Sequence, residues 1–287
     1  MRFKTDRMAV RLASLMLIPN LVAQTEWENP VKKALREGKP VVGLTVTVAS
    51  SDIAAQAVDL GFDFLWIEME HSPITLESAR NIILATNRTK TVPIVRVPVN
   101  ELWMAKRVLD AGALGVIFPF TSTPELARQA VAACKYPPQG LRGSGTGLAM
   151  LRWPAPGGYF DFADQNALVI IIIEQAQAVE RIDEILSVPG IDVVFIGPSD
   201  LSFSLGLRGK QDDPKLKDAI AMIVAAAKRH NLPVGRPAGA AQVPELIRQG
   251  FQFFQAASDL SMMAAGARPL LEALGKTGPE TRARPMY

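Results

Sequence analysis

Glu68, Glu70 and His71 follow an apolar run in GFDFLWIEMEHSPI, residues 61–74. His71 is one of two histidines in the chain and the side-chain type best suited to moving a proton near neutral pH. Pro73 biases Ser72 away from the helical region, so the run should break where the titratable groups begin. Arg96 sits among apolar neighbours in VRVPVN, where a guanidinium should be recruited by a carboxylate or an oxyanion. Glu174 follows LVIIII and Asp200 follows VVFIGPS. Carboxylates carried in by such apolar stretches are costly unless a cation or several donors meet them. With no histidine or cysteine cluster beside them, they suit a hard divalent ion such as Mg, Mn or Co better than structural zinc. Ion pairing to Arg96 or to lysines is the other reading. GPSD, residues 197–200, offers the backbone N–H groups of Ser199 and Asp200 to an anion, or is an ordinary turn. Asp110, near the end of WMAKRVLDAG, is a polar residue that could orient His71. Glu70 reads as a structural carboxylate supporting the loop. His230, beside a helix stop where a cation complements the dipole, is left out of the site.

Eight short apolar runs must position these residues: 40–47, 62–70, 92–98, 114–120, 167–175, 192–200, 233–239 and 251–258. Helix-period segments separate them, with stops at Gly61, Gly112 and Gly250 and start signals at Asn100, Ser122 or Thr123, and Pro214. Strand–helix alternation with near-continuous apolar strands predicts an α/β fold, a closed (β/α)8 TIM barrel rather than an open doubly wound sheet. In such a barrel the chemistry gathers at the C-terminal ends of the strands, and four of these runs deliver charge there. The long connection from Tyr136 to Asn166, with Arg142 and Arg152, predicts a functional cover or a subunit contact.

Composition narrows the partners. The net charge of +3 comes from interspersed residues without a basic stripe, which argues against nucleic acid. The single Cys134 excludes an internal disulfide framework and a multi-cysteine zinc site. Residues 1–24 combine a basic start with a short apolar stretch, so an export signal and an N-terminal extension both stay open, and the compartment with them; the segment is too short and charged to span a membrane. The barrel is expected over residues 25–274, followed by a disordered tail over 275–287.

Taken together, GFDFLWIEMEHSPI, VRVPVNELWMAKRVLDAGALGVIFPF, ARQAVAACKYPPQGLRG, IIIIEQAQAVERIDEILSVPGIDVVFIGPSDLS and GFQFFQAASDLSMMAAGA resemble, in order and spacing, the HpcH/HpaI family of metal-dependent 2-keto-acid aldolases, related to the citrate lyase β-subunit group. The likeness runs from about Val31 to about Leu274. It implies that Glu174 and Asp200 hold a divalent metal ion on which a pyruvate-like 2-keto acid chelates. It further implies that Arg96 stabilises the enolate oxygen, that the backbone from Gly197 through Ser199 to Asp200 holds the substrate carboxylate, and that His71, oriented by Asp110, is the base. The implied reaction is reversible cleavage of a 4-hydroxy-2-keto acid to pyruvate, or a close 2-keto acid, and an aldehyde, by a homohexamer with exchanged C-terminal helices. This chain departs from the family pattern at Glu68, where many members have Asp, at Ile172, where many have Gln, at Thr45 to Thr47, where some have an aromatic residue, and at Arg236 on the seventh strand, which could place an extra charge over the pocket. Two other readings are a malyl- or citramalyl-type thioester lyase, kept open by the basic loop around Arg142 and Arg152, and a non-catalytic ligand-binding barrel.

Overall fold

The computed structural model describes residues 27–153, 155 and 157–276. Segment 1–24, and the expected tail beyond residue 276, lie outside the described residues. All eight apolar runs contain a strand: β1 (Val41–Val46), β2 (Phe64–Glu68), β3 (Val92–Arg96), β4 (Gly115–Phe118), β5 (Leu168–Ile173), β6 (Val193–Ile196), β7 (Val234–Pro237) and β8 (Phe251–Ser258). Each pairs in parallel with its sequence neighbours, and β8 closes on β1 to complete the (β/α)8 barrel. Helix α1 (Pro30–Arg36) precedes the barrel; α2 (Ser51–Asp59), α3 (Leu76–Ala85), α4 (Leu102–Asp110) and α5 (Pro124–Cys134) follow the first four strands. The long connection folds as α6 (Gly147–Arg152) and α7 (Tyr159–Asn166). Then come α8 (Ala176–Glu180) and α9 (Ile182–Leu186), α10 (Pro198–Ser204) and α11 (Pro214–Arg229), α12 (Val243–Arg248) and, after β8, α13 (Asp259–Ala273).

Local chemistry sets these boundaries. Gly61, Gly112 and Gly250 end their helices at φ of +90°, +106° and +96°, conformations that cost a side-chain-bearing residue energy. Thr123 caps α5 through Leu126 N, and Asp213, one residue before Pro214, caps α11. Asn100 does not cap α4: Glu101 takes the position without a side-chain bond, and the Asn100 amide donates to Leu126 O.

Alternation along each strand creates two apolar layers. Phe64, Trp66, Ile94, Ile117, Ile170, Ile172, Phe195 and Phe253 fill the lumen. Leu65, Ile67, Val95, Val116, Ile171, Ile173 and Val194 point outward under the helices. The connection expected to cover the site lies at the other end, because it links the end of α5 to the start of β5 and so emerges at the N-terminal mouth. There Trp153, Tyr159 and Phe162 join the lumen cluster. Arg142, 2% exposed, donates to Asp110 Oδ1 at 3.0 Å and lies 4.6 Å over the Tyr136 ring. Arg152 donates to Thr86 O at 2.7 Å and stacks 3.7 Å over Trp153. Both arginines are therefore structural, and the thioester-lyase reading loses the feature that kept it open.

Helix α13 buries none of its residues and exposes Leu260, Met263, Leu270 and Leu271. Among the described residues no helix is long and apolar enough to cross a membrane.

The lumen leaves no room at Gly43, where an added Cβ would fall 2.1 Å from Phe64 Cε2, in a ring stacked 4.3 Å from Phe253. Gly43→Ala should cost about 2 kcal/mol by overpacking. A thermal melt should read this as a midpoint about 4–8 °C lower; an unchanged midpoint would mean that the lumen repacks freely.

Candidate active site

Inward alternation continues past the apolar layer at the C-terminal ends of the strands. Trp66 is followed inward by Glu68 on β2, Ile94 by Arg96 on β3, Ile172 by Glu174 after β5, and Phe195 by Gly197 after β6. One more step of the same pleat thus replaces apolar side chains with three charges and a glycine on one rim.

Glu68, 1% exposed, organises that rim. Its residue is register partner to Arg96 across β2 and β3. Its Oε2 accepts from Arg96 Nε at 2.6 Å and from Trp66 Nε1 at 3.0 Å. Its Oε1 accepts from the backbone N–H groups of Glu70 at 2.7 Å and His71 at 3.0 Å. Ser72 Oγ donates to Glu68 O and accepts from Ile74 N, which fixes the turn before Pro73. Sequence reasoning placed Glu68 among the charges at the strand end and as a departure from the family pattern, but gave it no role in the site; the available signal was a carboxylate on the inward parity of an apolar strand, which must be bonded to be buried. Glu70 also does more than support the loop. Its Oε2 stands 3.1 Å from Arg96 Nη1 and 3.6 Å from His71 Nε2, in ion-pair range. Arg96 Nη2 lies 2.6 Å from Glu68 Oε2 but is not aligned for a hydrogen bond, so Nη2 and Glu70 Oε2 are buried polar atoms without a hydrogen-bond partner.

Glu174, 3% exposed, accepts from Phe120 N at 2.7 Å through Oε1. Phe120 adopts φ +49°, a left-handed backbone that a bulky side chain disfavours, and that conformation accompanies an N–H aimed at Glu174. Gly197 is needed for close approach, since a Cβ there would sit 2.8 Å from Glu174 Oε2. GPSD is the start of a helix rather than a free turn: Gly197 caps α10 and Pro198 opens it, which leaves Ser199 N and Asp200 N in the first turn without intrahelical acceptors. Asp200 and Glu70 both act electrostatically on Glu174.

Burial and mutual repulsion shift these groups. Burial pushes Glu174 up to about 7, aided by Glu70 and Asp200 and opposed by the Phe120 N–H and by Arg96. Burial likewise raises Glu70 to about 7, where Arg96 opposes the shift and Glu68 and Asp200 add to it. His71 is held below its ordinary value, first by burial and then by the Arg96 charge, against Glu68 and Asp200. The structure thus brings His71, Arg96, Glu174 and Asp200 into one electrostatic cluster.

Asp110 is outside it. A helix after a parallel strand runs back toward the N-terminal mouth, and Asp110, the last residue of α4, ends there on Arg142 with Gly145 packed against it. Among the described residues Glu70 stands beside His71, whereas Asp110 pairs with Arg142. Arg236 also departs from expectation. Gly235 faces the lumen against Phe195, so its neighbour Arg236 points outward, over the outward Phe251 ring, and brings no charge to the pocket. Ile172 packs beneath Gly197 as apolar support. Thr45 donates to Ala256 O, and Thr47 holds Asp259 at the start of α13.

Among the described residues no group of three or more His, Cys, Asp or Glu side chains is arranged to hold a metal. The candidate donors are two carboxylates, Glu174 and Asp200. That set fits a hard divalent ion completed by substrate and water oxygens, and such a cation would offset the burial, and after it the charges of Glu70 and Asp200, that raise Glu174.

Comparison with known proteins identifies relatives of this chain. The family description HpcH/HpaI aldolase/citrate lyase matches residues 42–265. A 2-dehydro-3,6-dideoxy-6-sulfogluconate aldolase from Pseudomonas putida is 37% identical over 250 residues, covering 85% of this chain and 96% of the relative. A 4-hydroxy-2-oxo-heptane-1,7-dioate aldolase from Salmonella paratyphi A is 35% identical over 253 residues, covering 86% and 95%. The crystal structure of an HpcH/HpaI aldolase/citrate lyase family protein from Burkholderia cenocepacia J2315 superposes with a TM-score of 0.79 at 32% identity, covering 86% of this chain and 99% of that one. The chain therefore belongs to the HpcH/HpaI aldolase/citrate lyase family and is an enzyme of the aldolase, carbon–carbon lyase, class.

Proposed function

We propose that the protein is a divalent-metal-dependent aldolase that reversibly cleaves a 4-hydroxy-2-keto acid into pyruvate, or a close 2-keto acid, and an aldehyde. The observation that carries this reading is the single rim cluster of Glu174, Asp200, Arg96 and His71 described above. Glu174 and Asp200 would hold Mg, Mn or Co, which when bound supplies Lewis-acid polarisation of the 2-keto group.

The chain's own residues do the rest. Ser199 N and Asp200 N would bind the substrate carboxylate at the start of α10. Arg96, fixed by Glu68, presents Nη2 without a hydrogen-bond partner and would donate to the oxygen that becomes an enolate. His71, kept neutral by its lowered pKa, would take the proton from the C4 hydroxyl as the C3–C4 bond breaks, releasing the aldehyde and leaving the electron pair in the enolate. Protonation at C3 then gives pyruvate. A purely ligand-binding barrel would not require a proton acceptor beside a buried guanidinium.

Pyruvate release from a panel of 4-hydroxy-2-keto acids tests this. Metal-stripped protein should be inactive and Mg, Mn or Co should restore it; Glu174→Ala should stay inactive, and His71→Ala should lose roughly 10²–10⁴-fold in kcat. Release without metal, or by Glu174→Ala, would reject the assignment. At saturating metal, kcat/KM should be constant at neutral pH and fall as His71 protonates, with the acid limb centred below its ordinary value of 6.5. A limb centred above pH 7 would remove His71 as the base.

The reading extends to a homohexamer joined through α13, supported by the absence of any buried residue in that helix. Light scattering should find the hexamer for the native chain and a smaller species for the Met263→Glu, Leu271→Glu double variant; a native monomer would reject it.

A further inference from the structure

Arg236 enters a cavity of about 770 Å³ outside the barrel, bounded by α11, α12 and the outer faces of β7 and β8. The three buried arginines among the described residues have defined partners: Arg96 has Glu68, Arg142 has Asp110, and Arg152 has the Thr86 carbonyl. Arg236 has no ion pair among the described residues, and its one hydrogen bond is a long one, 3.4 Å from Nε to the adjoining Pro237 O. The carboxylate of this cavity, Glu245, is engaged elsewhere, accepting from Arg248 Nε at 3.0 Å and from Gln249 at 3.0 Å. Half-buried and without an anion to oppose it, the Arg236 guanidinium is disfavoured in its charged form by desolvation alone. Ile220, Val224, Leu246 and Phe251 give the cavity an apolar side next to Arg236, Gln242, Glu245 and Gln249 line the rest, and Lys217 adds a second cation at the edge.

We propose that this cavity is a second ligand site, separate from the rim cluster, which binds an organic carboxylate with an apolar body. The carboxylate pairs with Arg236, whose planar fork matches two carboxylate oxygens. The apolar body lies against Ile220, Val224, Leu246 and Phe251. The volume is that of a small-molecule site, and one placed cation beside apolar side chains is the usual way such sites fix orientation. A bare inorganic anion would use the cation and leave the walls wet. The site is independent of the catalytic reading, since Arg236 and the lumen-facing Gly235 lie on opposite faces of β7.

The test is calorimetric titration of the full-length protein with phenylacetate, phenylacetamide and inorganic phosphate, using wild type, Arg236→Met, Ala221→Phe at the cavity wall, and His71→Ala. Wild type and His71→Ala should bind phenylacetate equally, at millimolar strength or better. Arg236→Met should bind it about tenfold more weakly or worse, as wild type should phenylacetamide, a loss of about 1.4 kcal/mol. Ala221→Phe, which keeps the cation and fills the space, should lose binding too. Ligand-free Arg236→Met should melt no lower than wild type, and phenylacetate should raise the midpoint of wild type alone. No wild-type binding, undiminished binding by Arg236→Met or Ala221→Phe, equal binding of phosphate, or loss of binding in His71→Ala would each overturn the proposal. If Arg236→Met fails to fold, Ala221→Phe and the phenylacetamide comparison decide it.

Discussion

The rim depends on the bonding of one buried carboxylate. Glu68 accepts from Arg96 Nε, Trp66 Nε1 and the backbone N–H groups of Glu70 and His71, so a single side chain sets a cation, a strand end and the loop that carries the histidine. Such a group is expensive to bury and more expensive to leave half-bonded. Removing it would strand Arg96 in the lumen and free two backbone donors at once. The arrangement therefore behaves as a unit: Arg96 cannot keep its position, nor His71 its approach, independently of Glu68.

Above this anchor the site is an extension of ordinary strand geometry. Inward positions on β2, β3 and β5 pass from Trp66, Ile94 and Ile172 to Glu68, Arg96 and Glu174 with no change of parity. Only two places bend the usual rules. Phe120 adopts a left-handed backbone where its N–H meets Glu174, and Gly197 omits a side chain that would collide with the same carboxylate. Both irregularities serve Glu174, the more deeply buried of the two candidate metal ligands.

Much of this was legible in the residues. Runs such as LVIIII fit strands buried on both faces, and in a barrel a charge directly after them falls at the C-terminal rim. The glycine stops were equally readable, because Gly61, Gly112 and Gly250 sit where a positive φ ends a helix. What failed was direction perpendicular to the chain. Asp110 looks close to the site in sequence, but a nine-residue helix carries it to the opposite mouth, where it meets Arg142 from a distant segment. Arg142 and Arg152 look like free positive charge, yet both are buried under aromatic rings. No local pattern announces such partners, since they come together only when the connection folds back under the barrel. Arg236 was misread for a narrower reason: a one-residue error in parity moves a β-strand side chain from lumen to exterior.

Three buried arginines and the half-buried Arg236 show why exposure alone does not define a role. Arg142 and Arg152 sit among aromatic rings and fixed acceptors, so their charge is spent on holding α6 and α7 beneath the barrel. Arg96 is only partly satisfied: Glu68 fixes Nε, Glu70 faces Nη1 without a hydrogen bond, and Nη2 has none. Nη2 lies 2.6 Å from Glu68 Oε2 without an aligned hydrogen bond, and in the proposed reaction that donor would serve a developing oxyanion. Arg236 carries the same logic further, with an apolar side to its cavity and no carboxylate partner among the described residues. A buried cation is structural to the extent that the fold completes its bonds, and functional to the extent that it leaves them for something else.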